Sequence, residues 1–332
     1  MALTVGPGAG SSGPRFRARR LVSQTPGFRH GLRQLAHGYG NAMVLVFPVC
    51  LCFVSTGTAA GGQGSTVRAA PCKPPAEESA TVEHFPTAAH AIEKILVIPA
   101  RIVAFGEYHQ TVKTAAIRSS LSRFTDELLP MVAKTATDVV IETWVADGGC
   151  GREESHVVSE VETTTERPPE TENEIVAFLR RAKVAGLLPH ILRMSCRDYR
   201  FVTTKKGGID FAKMLRLTRD RLTDEVLGVL DAKTAKPRRP TVVVYGGALH
   251  NDLCPTSADR RYAFGPFLFG RSQGQYVEVD LYVPEYIEND ALIAEQPWYG
   301  LFVKNSMAGD ALLIRRSERS FVVVFPRTRA SK

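Results

Sequence analysis

Two apolar runs in this chain of 332 residues each end in the pattern Gly-x-x-His, and both carry side chains able to do chemistry. Arg101 to His109 reads R-I-V-A-F-G-E-Y-H, so Gly106 is followed by a carboxylate, Glu107, and an imidazole, His109. Thr241 to Tyr245 (T-V-V-V-Y) runs into G-G-A-L-H-N-D, which places His250 three residues after Gly247, ahead of Asn251 and Asp252. A third run, Asp138 to Glu142 (D-V-V-I-E), ends in Glu142. Histidines and carboxylates gathered in one place can bind a divalent metal. Without metal they can supply a general base and an electrophile. A glutamate ending a buried strand is costly unless paired, hydrogen-bonded or metal-bound, and Arg193, Arg197 and Arg200 are candidate partners for Glu142. Glycines before the histidines permit a sharp exit from the strand and close backbone approach. One such turn is a weak signal, since a loop histidine is more often a capping or surface residue. Two turns and a strand-end glutamate together point to one shared site. Tyr108 and Cys254 are its sequence neighbours and read as packing side chains, while His84, His90, His156 and His190 lack a comparable setting.

The elements that must bring these residues together alternate along the chain. A short helix near Thr87 to Leu96 precedes a strand at Arg101–Phe105, and Ile117, Leu121, Phe124 and Leu128 mark one face of a helix from Val112 that Pro130 stops. Strand Asp138–Glu142 follows, then a helix from Glu172 to Ala185 with Thr171 and Glu174 as a capping box and Gly186 at its end. A strand at His190–Met194, a long helix capped by Asp210 and reaching about Leu230, and the strand Thr241–Tyr245 complete the series. Apolar strands separated by helices predict an α/β fold with a mainly parallel sheet covered on both faces. Ligands in such a sheet collect beyond the carboxyl ends of the strands, where Glu107, His109, Glu142 and His250 fall. The close-spaced runs Tyr276–Val283, Leu301–Val303, Ala311–Ile314 and Phe321–Phe325 predict an antiparallel C-terminal extension. The acidic stretch Asp147 to Glu170 reads as a surface loop, with a lid over the site as the sharper reading.

Charge narrows the function classes. The net charge of +8 comes wholly from residues 1–76, which hold eight arginines and lysines and no acidic residue. The remaining chain is balanced, so a nucleic-acid-binding face is not indicated. That leader carries an apolar run of 13 residues, Ala42 to Val54, followed by small residues at Gly57 to Gly62. It reads as an export signal over residues 1–60 with cleavage after Ala60, or as an uncleaved N-terminal membrane anchor, in front of a linker at 61–80. The protein is then exported: periplasmic, extracellular or anchored to a membrane. The body, residues 81–332, reads as a single α/β domain with the loop insertion at 147–170, and its Cys150, Cys196 and Cys254, with Cys72 in the linker, permit up to two disulfides in an oxidising compartment.

The strand-G-E-Y-H motif, the strand ending in Glu142 and the late strand-G-x-x-H resemble the Tiki/TraB superfamily, over roughly Ala100 to Asp252. The glutamate at the second position of the first motif is closer to the ChaN-like haem-binding and erythromycin esterase-like branches. The resemblance implies that His109, Glu142 and His250 form the active or binding site, with Glu107 matching the first-motif glutamate of those two branches. It leaves the basic partner open between Arg118, Arg193 and Arg197. The chain departs from the ChaN-like pattern just after the motif, where Q-T-V-K-T replaces a run with a further histidine. Three functions follow from the family. One is hydrolysis of a peptide or small-molecule ester, with Glu107 or Glu142 as general base and the histidines polarising the carbonyl or holding a divalent metal together with Glu142. Another is binding of haem or metal without turnover, with Tyr108, His109 and His250 as ligands. The third is a scaffold that uses its sheet for interaction. Two carboxylates beside two histidines favour the hydrolase.

Overall fold

The computed structural model describes residues 80–146, 149–232, 241–306 and 309–328, so the leader and all but the last residue of the linker lie outside it. The chain enters on β1 (Thr81–Phe85), α1 (Ala88–Leu96) and β2 (Ile102–Glu107). A helix in three parts follows: α2 (Ser120–Arg123), a π-helical turn at Phe124–Leu128, and α3 (Leu129–Val132). Next come β3 (Ala136–Ala146), α4 (Arg152–Thr165), α5 (Thr171–Val184), β4 (Leu188–Met194), α6 (Cys196–Val202), α7 (Phe211–Ala232) and β5 (Thr241–Gly247). The last third holds α8 (Ala248–Asn251), α9 (Gly265–Arg271) and β6 (Tyr276–Tyr282). Short helices α10 (Pro284–Ile287), α11 (Ala291–Ala294) and α12 (Tyr299–Asn305) then lead to β7 (Ala311–Arg315) and β8 (Ser320–Val324).

One eight-stranded sheet runs through the domain in the order β1-β7-β8-β6-β2-β5-β3-β4. From β8 to β4 every pairing is parallel; only β7 runs against the other strands, pairing antiparallel with β8 on one side and with the edge strand β1 on the other. The fold is therefore the expected α/β one. The inner strands are apolar at successive residues because both faces are covered. Val103, Phe105, Val139, Ile141, Val243, Tyr245 and Val279 enter one core with α1 to α3, α5 and α10 to α12. Ile102, Ala104, Val140, Val242 and Val244 enter a second core against α7 and α9.

Several expected elements take another form. Tyr276–Tyr282 is a parallel central strand beside β2, not part of the antiparallel extension. Leu301–Val303 lies inside α12, where Trp298 and Phe302 are buried one turn apart; a three-residue apolar run has no period of its own. The helix read over Val112–Leu128 begins only at Ser120, capped by the Ser119 hydroxyl, and it passes Pro130 to Val132. Pro130 is tolerated because the π-turn before it is widened: the Leu129 N–H reaches back to the Phe124 carbonyl. Thr171 does not cap α5; Glu174 instead accepts from the Ser119 hydroxyl at 2.5 Å. Within the insertion, residues 152–165 are helical. Val157 and Val161, one turn apart, pack on the second core, and a Cys150–Cys196 disulfide ties the start of α4 to α6.

Candidate active site

The site is assembled by strand order. β2 and β5 are neighbours in register, pairing Gly106 with Gly246 and Glu107 with Gly247, so the two Gly-x-x-His segments leave the sheet side by side. β3 lies on the other side of β5, paired up to Ile141 and Tyr245. Its register against β4 slips between Ile141 and Trp144. That bulge re-aims Glu142, which is an irregular residue within an eleven-residue strand and not the strand's last.

Of the two roles expected of the glycines, a sharp exit from the strand and close approach, the second is the one they fill. Gly106, Gly246 and Gly247 all lie within strands. A Cβ on Gly246 would stand 2.5 Å from Glu142 Oε2 and 2.9 Å from Glu142 Cβ. One on Gly247 would stand 3.0 Å from His109 Nε2 and 3.6 Å from Glu142 Oε2. The space over Gly106 is filled by the Asn251 amide and the backbone of Ala248, which seats α8 on β2. His109, Glu142 and the glycine doublet of β5 therefore meet at one point.

Each histidine is oriented by an acceptor. His109 Nδ1 lies 2.7 Å from Glu107 Oε1, and the Tyr245 hydroxyl donates to Glu107 Oε2 at 2.6 Å. Burial pushes the Glu107 carboxyl up, but His109, the Arg167 guanidinium and the Tyr245 hydroxyl together hold it below the ordinary carboxylate value. A carboxylate only accepts, so Nδ1 of His109 carries the proton and Nε2, the atom beside Gly247, is left as the basic nitrogen. His250 is almost fully buried, and its Nδ1 donates to the Tyr262 carbonyl at 2.7 Å. Its Nε2 faces Glu142 Oε1 at 3.7 Å, and Glu142 Oε2 accepts from the Gly247 amide at 2.7 Å. Two carboxylate–imidazole pairs thus flank Gly247.

Glu107 and His109 open into a narrow cleft whose other walls include Gln110, Ser119, Arg167 and Glu174, with room for about one water molecule. Burial raises the Glu174 carboxyl above its ordinary value; Ser119 opposes the shift and repulsion from Glu107 adds to it. Arg167 and Glu174 are the side chains that sequence reasoning missed. Their only signal was position, a late arginine in an acidic stretch just ahead of Pro168-Pro169 and a glutamate in the next helix.

The basic partners expected for the site are engaged or exposed outside it, and of them only Arg118 bears on it, through its charge near Glu174. Arg118 pairs with Asp126 and Glu127, Arg200 sits 3.6 Å from Glu153, and Arg193 and Arg197 are exposed. The Tyr108 hydroxyl donates to Asp290, and burial followed by that carboxylate raises it above an ordinary tyrosine. Of the four other histidines among the described residues, His190 is held between Asp138 at 2.9 Å and Glu225 at 3.0 Å at the opposite end of β3, and His84, His90 and His156 each make a hydrogen bond away from the site. Among the described residues no group of three or more His, Cys, Asp or Glu is arranged to hold a metal ion, and none of their helices is long and apolar enough to cross a membrane.

Neither a family model nor a curated protein matches the sequence. Two solved structures are similar to the chain in fold. One is the type III effector HopBA1, 11% identical with a TM-score of 0.39, covering 74% of this chain and 98% of its own. The other is a mutant of the erythromycin esterase EreC in its open conformation, 11% identical with a TM-score of 0.40, covering 76% of this chain and 99% of its own.

Proposed function

We propose that the protein is an exported hydrolase of esters or peptides, with its reaction centre at Glu107, His109, Glu142 and His250. The observation that carries this reading is the Tyr245–Glu107–His109 chain, in which a buried, ionised carboxylate fixes the imidazole tautomer and leaves Nε2 pointing at the glycine doublet. That is the orienting logic of an acid–histidine pair, in which the carboxylate sets the ring and stabilises the imidazolium that forms. His109 Nε2 takes a proton from water as the water oxygen attacks the acyl carbon. Arg167 is the group able to stabilise the negative charge that grows on the carbonyl oxygen, while Glu142 holds the Gly247 backbone and faces His250. The resemblance of G-E-Y-H and its companion motifs to the esterase-like branch of the Tiki/TraB superfamily supports the same chemistry. The Cys150–Cys196 disulfide suits an oxidising compartment, in keeping with an exported protein.

The test is turnover of a broad ester and peptide panel by protein purified from residue 61 onward. His109→Ala and Glu142→Ala should each lower kcat/KM by about 100-fold or more on whichever substrate is cleaved. Unchanged rates in both variants would sink the hydrolase reading.

A further inference from the structure

Proton transfer to the leaving group needs an acid; Glu107 is held ionised, so the candidates are the His109 imidazolium formed when water loses its proton and a carboxyl of the same cleft that keeps its own. We infer that Glu174 of α5 is the general acid, donating its proton to the departing oxygen or nitrogen. This rests on the hydrolase reading and adds a catalytic group to it.

Three features of the cleft place Glu174 in that role. It lines the same narrow cleft as Glu107 and His109, whose size limits how far apart the groups on its walls can act. The Ser119 hydroxyl engages its Oε2 at 2.5 Å, and among the described residues no hydrogen bond engages Oε1, the oxygen that can carry a proton into the cleft. The Ser119 oxygen also accepts from the Ser122 amide as the cap of α2, which anchors that hydroxyl beside Glu174. The environments of the two glutamates also diverge: one carboxyl is stabilised in its charged form and the other pushed toward its neutral form. Such a split assigns base-side and acid-side roles to two carboxyl groups of one site.

The step balances without any further reagent. Water loses one proton to His109 Nε2 as its oxygen bonds to the acyl carbon. The carbon–oxygen or carbon–nitrogen bond then breaks, and Glu174 gives its proton to the leaving atom. The imidazolium of His109 then returns a proton through solvent to the Glu174 carboxylate, so ester and water become acid and alcohol.

An acid matters only when the leaving group is too basic to depart as an anion, and the test uses that dependence. Hydrolysis of an ethyl ester and of the p-nitrophenyl ester of the same acid is measured for the intact protein, for Glu174→Gln and for Ser119→Ala. Glu174→Gln is expected to lower kcat on the ethyl ester about 100-fold or more, and its loss on the p-nitrophenyl ester should be smaller by at least about 30-fold. Ser119→Ala removes the bond that orients the carboxyl but keeps the carboxyl, so it should lower the ethyl-ester rate more than the p-nitrophenyl-ester rate, by a smaller factor than Glu174→Gln. Equal losses on the two esters in Glu174→Gln would make the residue a structural strut and overturn the inference, leaving the hydrolase reading intact. Failure of the intact protein to cleave any member of the ester and peptide panel would overturn both.

Discussion

Gly246 sets how closely Glu142 can approach β5, because the glutamate occupies the volume that a Cβ would need. Gly246→Ala must therefore displace Glu142, at a cost of about 1–3 kcal/mol in stability. It should also remove most activity, since Glu142 leaves the Gly247 amide. Gly228, near the C-terminal end of α7 with open space where its Cβ would stand, is the contrasting case. Gly228→Ala should stabilise the fold by about 0.5–1 kcal/mol and leave turnover alone. Denaturant unfolding and ester hydrolysis on both variants check the pair; an active Gly246→Ala protein would mean that Glu142 is dispensable. At this scale the sequence was readable in kind but not in mechanism. Glu107, His109, Glu142 and His250 could be chosen because strand ends gather ligands, and the glycines could be marked as necessary. What they make room for depended on strand order, which residue spacing does not encode. Arg167 and Glu174 were unreadable for the same reason: nothing along the chain says that an insertion and the helix after it fold back over Glu107.

Elements were legible where their periodicity was long and hidden where it was short or capped from afar. The strands β2, β3 and β5 stood out as apolar runs because both faces of the central sheet are buried, and the 22-residue α7 was marked by its Asp210 cap. β1 was missed because its five half-exposed residues gain order only by pairing with β7, more than 200 residues away in sequence. α4 was read as loop because its acidic sequence shows only two inward valines, and what holds its start is a covalent link. That link makes a prediction. The cysteines are 46 residues apart, and closing a loop of that length stabilises the folded state by about 4 kcal/mol in the chain-entropy account. Cys196→Ser, or reduction of the intact protein, should lower Tm by roughly 10 °C. It should also speed proteolysis within 152–165 before the rest of the domain, read by mass spectrometry of early fragments. An unchanged Tm and cleavage pattern would show that helix packing alone holds α4.

For the molecule beyond residue 76, positive and negative charges balance, and the pH response is set inside. Glu278 and Asp280 sit two residues apart on β6, both almost fully buried, with Arg316 bonded to each and Asp252 nearby. Three carboxyl groups share one guanidinium. Burial pushes Glu278 up to about 8 and Asp280 up to about 6; Arg316 opposes this, and repulsion among the acids adds to it. The folded state thus holds protons that the unfolded chain releases near its ordinary carboxyl values. Stability from this cluster is fully present below about pH 4 and is lost as pH rises through the folded values. The loss should reach a few kcal/mol by about pH 8. It opposes the contribution of Glu107, whose lowered value gives stability that is present at neutral pH and lost as pH falls through that value. The two together predict a stability maximum on the mildly acidic side, between the titration of Glu107 and that of Glu278. Glu278→Gln places a permanently neutral group on the same strand, so its unfolding free energy should fall less steeply than that of the native protein between pH 6 and about 8.5. Urea unfolding across that range, followed by tryptophan fluorescence, measures the two slopes. Parallel slopes would mean that β6 holds its acids ionised and that the pH response originates elsewhere.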